Sequence, residues 1–318
     1  MKTLFAALAL LAGGLAGAAP AQAQALREVS YAYSGPTSYY WDIFIAQERG
    51  FLKEEGVKLD MIMADNVAQQ TQMLVTGAVQ IIGANAEVAL VAMEKGAPLT
   101  IVGAQTAKQG FVFMARPEIK TYADLKGKLL GATQLQDASA TMLMELLKKN
   151  GVERNSYDMI ALGGTPNRFA ALTNGAVAGT LLSPPLDYKA AAMGMRKLGY
   201  AFEAFDGPQV VYTVQKAWAQ KNEETLVRFL RAAARGMAFL YDPANREAAA
   251  DILVKTIGGT KADALLNYDD WMGPNKVMAE NLRITPQGLK AFLDLRGSKE
   301  DPAKFLDLSY LEKALAKK

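Results

Sequence analysis

The chain has 318 residues, 51% of them hydrophobic and 21% charged, ordinary values for a folded chain with a sizeable core. Its formal charge of +3 is too weak a bias to suggest nucleic acid as a partner. There is no Cys and no His, which excludes thiol and imidazole nucleophiles, His general bases, Cys redox chemistry and His/Cys metal sites.

Residues 1–25 read as a signal peptide. Lys2 supplies the positive start, and 4–15 is an apolar run too short to span a bilayer. Ala21-Gln22-Ala23 and Ala23-Gln24-Ala25 both fit small-x-small cleavage sites, so cleavage is expected after Ala23 or Ala25. No Cys follows to carry a lipid, and no later apolar run reaches 18 residues. The expected product is an exported, soluble chain, periplasmic in a Gram-negative cell.

Residues 29–33 read as a strand, followed by the turn Ser34-Gly35-Pro36. Thr37 and Ser38 are candidate N-caps for a helix running to Gly56, with Trp41, Phe44, Ile45 and Leu52 on one stripe. Tyr39, Tyr40 and Trp41 thus crowd the C-terminal end of a strand, where ligands bind in open α/β sheets. Further strands are read at 57–63, 79–82 and 99–104, with helices at 68–75 and from Asn85 to Glu94. This alternation predicts a parallel sheet covered on both faces.

A strand at 111–115 is expected to leave the first unit. The second unit has strands at 129–132, 157–162 and 176–182 and helices at 140–149, 166–173 and 185–193. Asp206-Gly207-Pro208 is a turn, and 210–214 is a returning strand. The last third is helical, at 223–240, 246–257, 262–267, 289–294 and 308–315. The expected domains are a discontinuous first lobe, 26–115 and 206–318, and a second lobe, 116–205.

Several stretches resemble a known family. Ala46-Gln47-Glu48-Arg49-Gly50-Phe51-Leu52-Lys53-Glu54-Glu55-Gly56 resembles the first-helix signature of periplasmic solute-binding proteins of ABC importers. The branch is the nitrate/sulfonate/taurine and thiamin-pyrimidine-precursor type. Leu74-Val75-Thr76-Gly77, Glu94-Lys95-Gly96-Ala97-Pro98-Leu99, Asp124-Leu125-Lys126-Gly127-Lys128 and Ala171-Leu172-Thr173-Asn174-Gly175 agree in order and spacing. Gln80 and Ala178 stand where the family usually has Asp.

The resemblance implies an α/β, type II periplasmic binding protein fold: two lobes joined by two crossing strands, with a helical C-terminal tail. It implies a monomeric receptor that captures a small organic solute (a sulfonate, carboxylate, aromatic or pyrimidine-like molecule) and delivers it to an ABC permease with its ATPase. No cofactor or metal is implied. A sensory protein feeding a membrane receptor would read the same way. Pyrimidine synthases of the thiamin-precursor type and porphobilinogen deaminase share the fold but use His or Cys residues that this chain lacks.

On this fold the loops at strand ends face the cleft. The candidate ligand contacts are Ser38, Tyr39, Tyr40 and Trp41; Asn85, Ala86 and Glu87 at a helix start; Gln105 and Gln109 beside the crossing; and Gln134, Asp137, Ser139 and Pro184 in the second lobe. Asp187 sits near the last of these loops. Glu87 and Asp137 also read as charges that complement a helix dipole. Arg168 reads as a structural or surface residue or, alternatively, as a clamp for a carboxylate or sulfonate.

Overall fold

The computed structural model of the chain describes residues 26–135 and 138–316. The expected signal peptide and the candidate Asp137 lie outside the described residues.

The strands, in chain order, are β1 (Arg27–Tyr33), β2 (Val57–Met63), β3 (Ile81–Asn85), β4 (Leu99–Ala104), β5 (Val112–Ala115), β6 (Leu129–Ala132), β7 (Asp158–Ala161), β8 (Gly179–Leu182), β9 (Arg196–Tyr200) and β10 (Val210–Gln215). They form two five-stranded sheets, ordered β2-β1-β3-β10-β4 and β7-β6-β8-β5-β9. In the first sheet β10 runs antiparallel to β3 and β4. In the second, β5 runs antiparallel to β8 and β9. Each lobe therefore takes one reversed strand at the point where the chain crosses over, and the mixed α/β architecture is the one the resemblance implies.

Helices cover both sheets. They are α1 (Trp41–Glu48), α2 (Phe51–Glu54), α3 (Val67–Val75), α4 (Ala86–Glu94), α5 (Ala138–Lys149), α6 (Thr165–Thr173), α7 (Leu186–Ala192), α8 (Lys216–Lys221), α9 (Glu223–Tyr241), α10 (Arg246–Ile257), α11 (Lys261–Met272), α12 (Pro286–Leu295) and α13 (Ser309–Ala316). Among the described residues, no helix is long and apolar enough to cross a membrane.

Two-sided cover explains the composition of the strands. All six residues of β4 are buried, as expected where helices or loops lie on both faces. In α9, Leu226, Phe229, Leu230, Ala233, Met237 and Leu240 form one buried stripe. That stripe shares a core with Val29 and Tyr31 of β1 and with Trp41, Ile43 and Ile45 of α1. Helix α1 is pressed so closely on α9 that a Cβ added at Gly236 would stand 2.1 Å from the Asp42 carbonyl oxygen. Only glycine fits there.

One charged group enters this core. Asp42 is fully buried. Its carboxyl accepts from the Gln105 amide at 2.7 Å and from the Tyr212 hydroxyl at 2.6 Å. Burial outweighs these bonds and pushes the carboxyl up to about 6.

The fold departs from the sequence reading in four places. The first long helix is broken at Gly50, whose φ is 77°, into α1 and α2. Strand β3 covers Ile81–Asn85 rather than 79–82. Strand β9 and helix α8 are additional. Strand β5, which the sequence reading places in the first lobe, pairs with β8 and β9 of the second sheet. Those partners lie downstream in the chain, so local pattern carries no trace of the pairing.

Candidate functional site

The parallel strands of both sheets point their C-terminal ends at one cleft. A cavity of about 220 Å³ lies there, and both lobes line it. The first lobe supplies Ser34, Thr37, Tyr39, Tyr40, Asn85 and Gln209. The second supplies Phe111, Thr133, Gly164, Thr165, Arg168 and Ser183. An adjoining cavity of about 420 Å³ shares Asn85, Phe111, Thr133 and Gln209 and continues past Asn66, Glu87, Gln134 and Ser139. A larger cavity, about 630 Å³, lies elsewhere, on the outer surface by Glu55, Arg228, Arg231 and Lys313. Its charges already pair with one another, for example Arg231 with Glu55 at 2.8 Å, and nothing from the second lobe lines it. Shape and chemistry both favour the cleft between the lobes.

Local structure positions each wall. The turn after β1 packs Tyr40 against the sheet at Gly83. Its hydroxyl donates to the Gly83 carbonyl at 3.3 Å and receives the Ser34 backbone N–H at 3.2 Å. A Cβ at Gly83 would strike Tyr31, Gln105 and Tyr40, so the glycine is what admits the ring. Tyr39 packs on Trp271 and Phe111, with ring centroids 5.2 and 6.2 Å apart. Burial, reinforced by the Asp187 charge and opposed by Arg168, pushes the Tyr39 hydroxyl well above its ordinary range, so it remains a proton donor. Asn85 caps α4, its side-chain oxygen accepting from the Glu87 and Val88 backbone N–H groups at 3.1 and 3.2 Å.

Arg168 is 2% exposed and reaches the cleft from α6. Its guanidinium donates to the Leu181 and Gly163 carbonyls at 2.9 and 2.7 Å. It also donates to the hydroxyls of Thr133 and Thr165. Among the described residues, Thr37 Oγ1, the Tyr39 hydroxyl and Gln209 Oε1 line the cleft without a hydrogen-bond partner. Buried polar atoms normally find partners, so three unsatisfied ones on residues that line one cavity favour a bound molecule there.

The expected contacts divide into two groups. Tyr39, Tyr40 and Asn85 line the first cavity, and Asn85, Glu87, Gln134 and Ser139 line the second. Glu87 also lies 3.7 Å from Arg296. The other described candidates do not line either cavity. Trp41 is a core residue, fully buried, and its indole donates to the Ala249 carbonyl at 3.0 Å. Gln105 is drawn into the core, where it accepts from the Tyr31 hydroxyl at 2.8 Å and donates to Asp42. Ala86 is packed in the hydrophobic core beneath α4. Ser38 turns away from the cleft, toward Pro185 and Asn267. Pro184 is buried and joined to Pro185 by a cis bond.

Gln109 instead stitches the two crossing segments together. It donates to the Pro208 carbonyl at 2.7 Å. Thr106 adds to this, its hydroxyl accepting the Gln209 and Val210 N–H groups at 2.8 and 3.0 Å.

The lobes also touch outside the cleft. Asp270 of α11 accepts from the Tyr188 hydroxyl at 3.2 Å and from the Tyr200 hydroxyl, both on the second lobe. Lys197 stands 4.0 Å from the same carboxylate.

Residues that sequence reasoning left out of the site are Thr133, Thr165, Ser183, Phe111 and Gln209. Each sits one to four residues beyond a strand terminus on the cleft side. Strand-end position is therefore the signal that would have found them.

A family model described as NMT1/THI5 like matches residues 37–246, more than half of the chain. The chain belongs to the NMT1/THI5-like family. Relatives of this NMT1/THI5-like chain carry two kinds of name. The 4-amino-5-hydroxymethyl-2-methylpyrimidine phosphate synthase of Schizosaccharomyces pombe is 28% identical over 45% of this chain and 41% of its own length. The putative binding protein YtlA of Bacillus subtilis is 24% identical over 68% of this chain and 66% of its own. The formylaminopyrimidine-binding protein of Halalkalibacterium halodurans is 21% identical over 69% and 67%. The chain thus spans less than two thirds of the length of the first two.

Among solved structures, the periplasmic aliphatic sulphonate binding protein SsuA from Escherichia coli matches with a TM-score of 0.68 at 20% identity, covering 90% of this chain and 99% of that one. The periplasmic nitrate-binding protein NrtA from Synechocystis PCC 6803 matches with a TM-score of 0.75 at 14% identity, covering 92% and 89%. The NMT1/THI5-like chain therefore has the fold of periplasmic binding proteins of ABC import systems.

Proposed function

We propose that this chain is an exported ABC-importer receptor that holds a small organic solute between its two lobes and delivers it to a membrane permease and its ATPase. The observation that carries this reading is the cleft: both lobes line it, and three of its lining residues hold a partnerless polar atom among the described residues. Rings of Tyr39, Tyr40 and Phe111 offer flat apolar surface for an aromatic or pyrimidine-like body. Hydroxyls and amides around them suit a carboxylate, sulfonate or amide-bearing solute. The names of YtlA and of the H. halodurans relative support a binding role. Export rests on the sequence of residues 1–25, with Lys2, an apolar run and small-x-small sites.

The relatives named as pyrimidine phosphate synthases bring a second reading, an enzyme on the same fold. The chain has no His or Cys to serve as base or nucleophile, and this favours binding without turnover.

A thermal-shift screen of sulfonates, carboxylates, aromatic acids and pyrimidines tests the proposal. A true ligand at about 100 times its Kd adds about 2.7 kcal/mol. In a chain of this size that raises the melting temperature by about 4–5 °C. A flat response to every class would count against a solute receptor.

A further inference from the structure

The second lobe presents three hydroxyls to the cleft, on Thr133, Thr165 and Ser183. They come from three separate strand ends, and one side chain gathers them. Arg168 Nη1 donates to Thr133 Oγ1, and Nη2 donates to Thr165 Oγ1 at 3.1 Å. Its Nε donates to the Leu181 carbonyl at 2.9 Å, two residues before Ser183. Ser139 also donates to Thr133 Oγ1, at 3.0 Å. The Thr133 oxygen thus accepts twice, and its own proton remains to be donated. The Thr165 oxygen accepts from the guanidinium and lies 3.3 Å from Ser183 Oγ. A hydroxyl whose lone pairs are engaged by a cation is left as a donor.

A second observation marks this cavity as a binding site. Tyr39 is 6% exposed and Gln209 is 7% exposed, and both line this cavity with a polar atom that lacks a partner among the described residues. Tyr39 adds one more O–H donor, whereas Gln209 Oε1 is an acceptor suited to an N–H or O–H elsewhere on the solute.

We propose that Thr133, Thr165 and Ser183, oriented by Arg168 as a positioning residue, form the subsite for the oxygen-bearing head group of the solute: a carboxylate, a sulfonate or a ring carbonyl. This rests on the receptor reading and narrows it. A cationic head group entering the same place would meet O–H donors and the buried, positively charged guanidinium of Arg168. The rings of Tyr39, Tyr40 and Phe111 then take the body of the solute.

Isothermal titration with benzoate, benzamide and benzamidine tests this, because the three share a ring and differ in the head group. The wild-type protein should bind benzoate at least about tenfold more tightly than benzamidine, a difference of about 1.4 kcal/mol. Thr133→Val and Thr165→Val keep the side-chain shape and remove the donor. Each should weaken benzoate about tenfold; each also takes an acceptor from Arg168, so the melting temperature should fall by a few degrees while the protein stays folded at the temperature of the titration. Arg168→Lys keeps the charge but cannot hold both hydroxyls. It should reduce the benzoate-to-benzamidine ratio, whereas a purely structural arginine would lower both affinities in proportion.

Tighter binding of benzamidine, or unchanged benzoate binding by both Val variants, overturns the proposal. So does a wild-type protein that binds none of the three. The receptor reading is decided separately, by whether the purified chain carries a solute at all.

Discussion

Replacing Trp41 by Ala should cost about 3–5 kcal/mol of stability, the range for deleting a large buried aromatic. The ring is fully buried, meets Tyr268 edge-on at 6.1 Å, and donates from its indole to the Ala249 carbonyl. Truncation leaves a cavity between α1, α10 and α11 and strips that carbonyl of its partner. Tyr39→Phe is the informative contrast. It removes a hydroxyl that has no partner among the described residues, so stability should stay level while affinity for the screened solute falls. Urea unfolding and titration on the same two variants separate the roles. Lost affinity in Trp41→Ala with stability intact would mean that the indole belongs to the cleft after all.

The second large effect lies at the seam between the lobes. Asp187 lies in the first turn of α7 and is 4% exposed, with Oδ1 unpartnered among the described residues. Burial, with Asp270 adding and Lys197 opposing, pushes its carboxyl up to about 7. The groups facing it across the seam are Tyr39 from the turn before α1 and Asp270 from α11, with Lys197 and Tyr200 on β9. Its folded value lies above its unfolded one, so folding takes up a proton. The contribution to stability is complete below about pH 4 and is lost as pH rises through about 7. The difference amounts to about 4 kcal/mol for this group.

Asp42, at about 6, acts in the same direction. Glu94, Asp124 and Asp269, held below their ordinary values by their partners, act in the opposite direction, but their effect is complete by mildly acidic pH. Between about pH 5.5 and 7 the melting temperature should therefore fall and then level off, and Asp187→Asn should flatten most of that slope. A wild-type curve that rises through this window, or an Asn variant that keeps the slope, would contradict this assignment.

Much of the architecture was legible because strands covered on two faces leave a clear local mark. The continuous apolar run 99–104 became β4. Asn85 reads as a cap in the sequence and caps in the fold. The reversed strand β10 was announced by the turn Asp206-Gly207-Pro208 just before it.

The site was harder, because side-chain direction is set by partners distant in sequence. Gln105 looks like a cleft residue until Asp42 and Tyr31, 63 and 74 positions away, draw it inward. Arg168 looks like a surface helix residue until the Leu181 carbonyl of β8 and the Gly163 carbonyl before α6 claim its guanidinium. The spacing of Thr165 and Arg168, one turn apart on α6, was the available hint. Trp41 kept the helical stripe that sequence assigned to it. That stripe faces the core, so the ring is held there and not at the strand end.

The account stands most directly on whether the native protein carries one unaltered small molecule. Native mass spectrometry of the chain purified without denaturation, followed by identification of whatever denaturation releases, gives the answer. The account predicts a one-to-one adduct with an organic solute bearing an oxygen head group, recovered chemically unchanged after prolonged incubation with the protein. A released compound that the protein itself converts to something else, or a protein with neither an adduct nor a response to any solute offered, would contradict it.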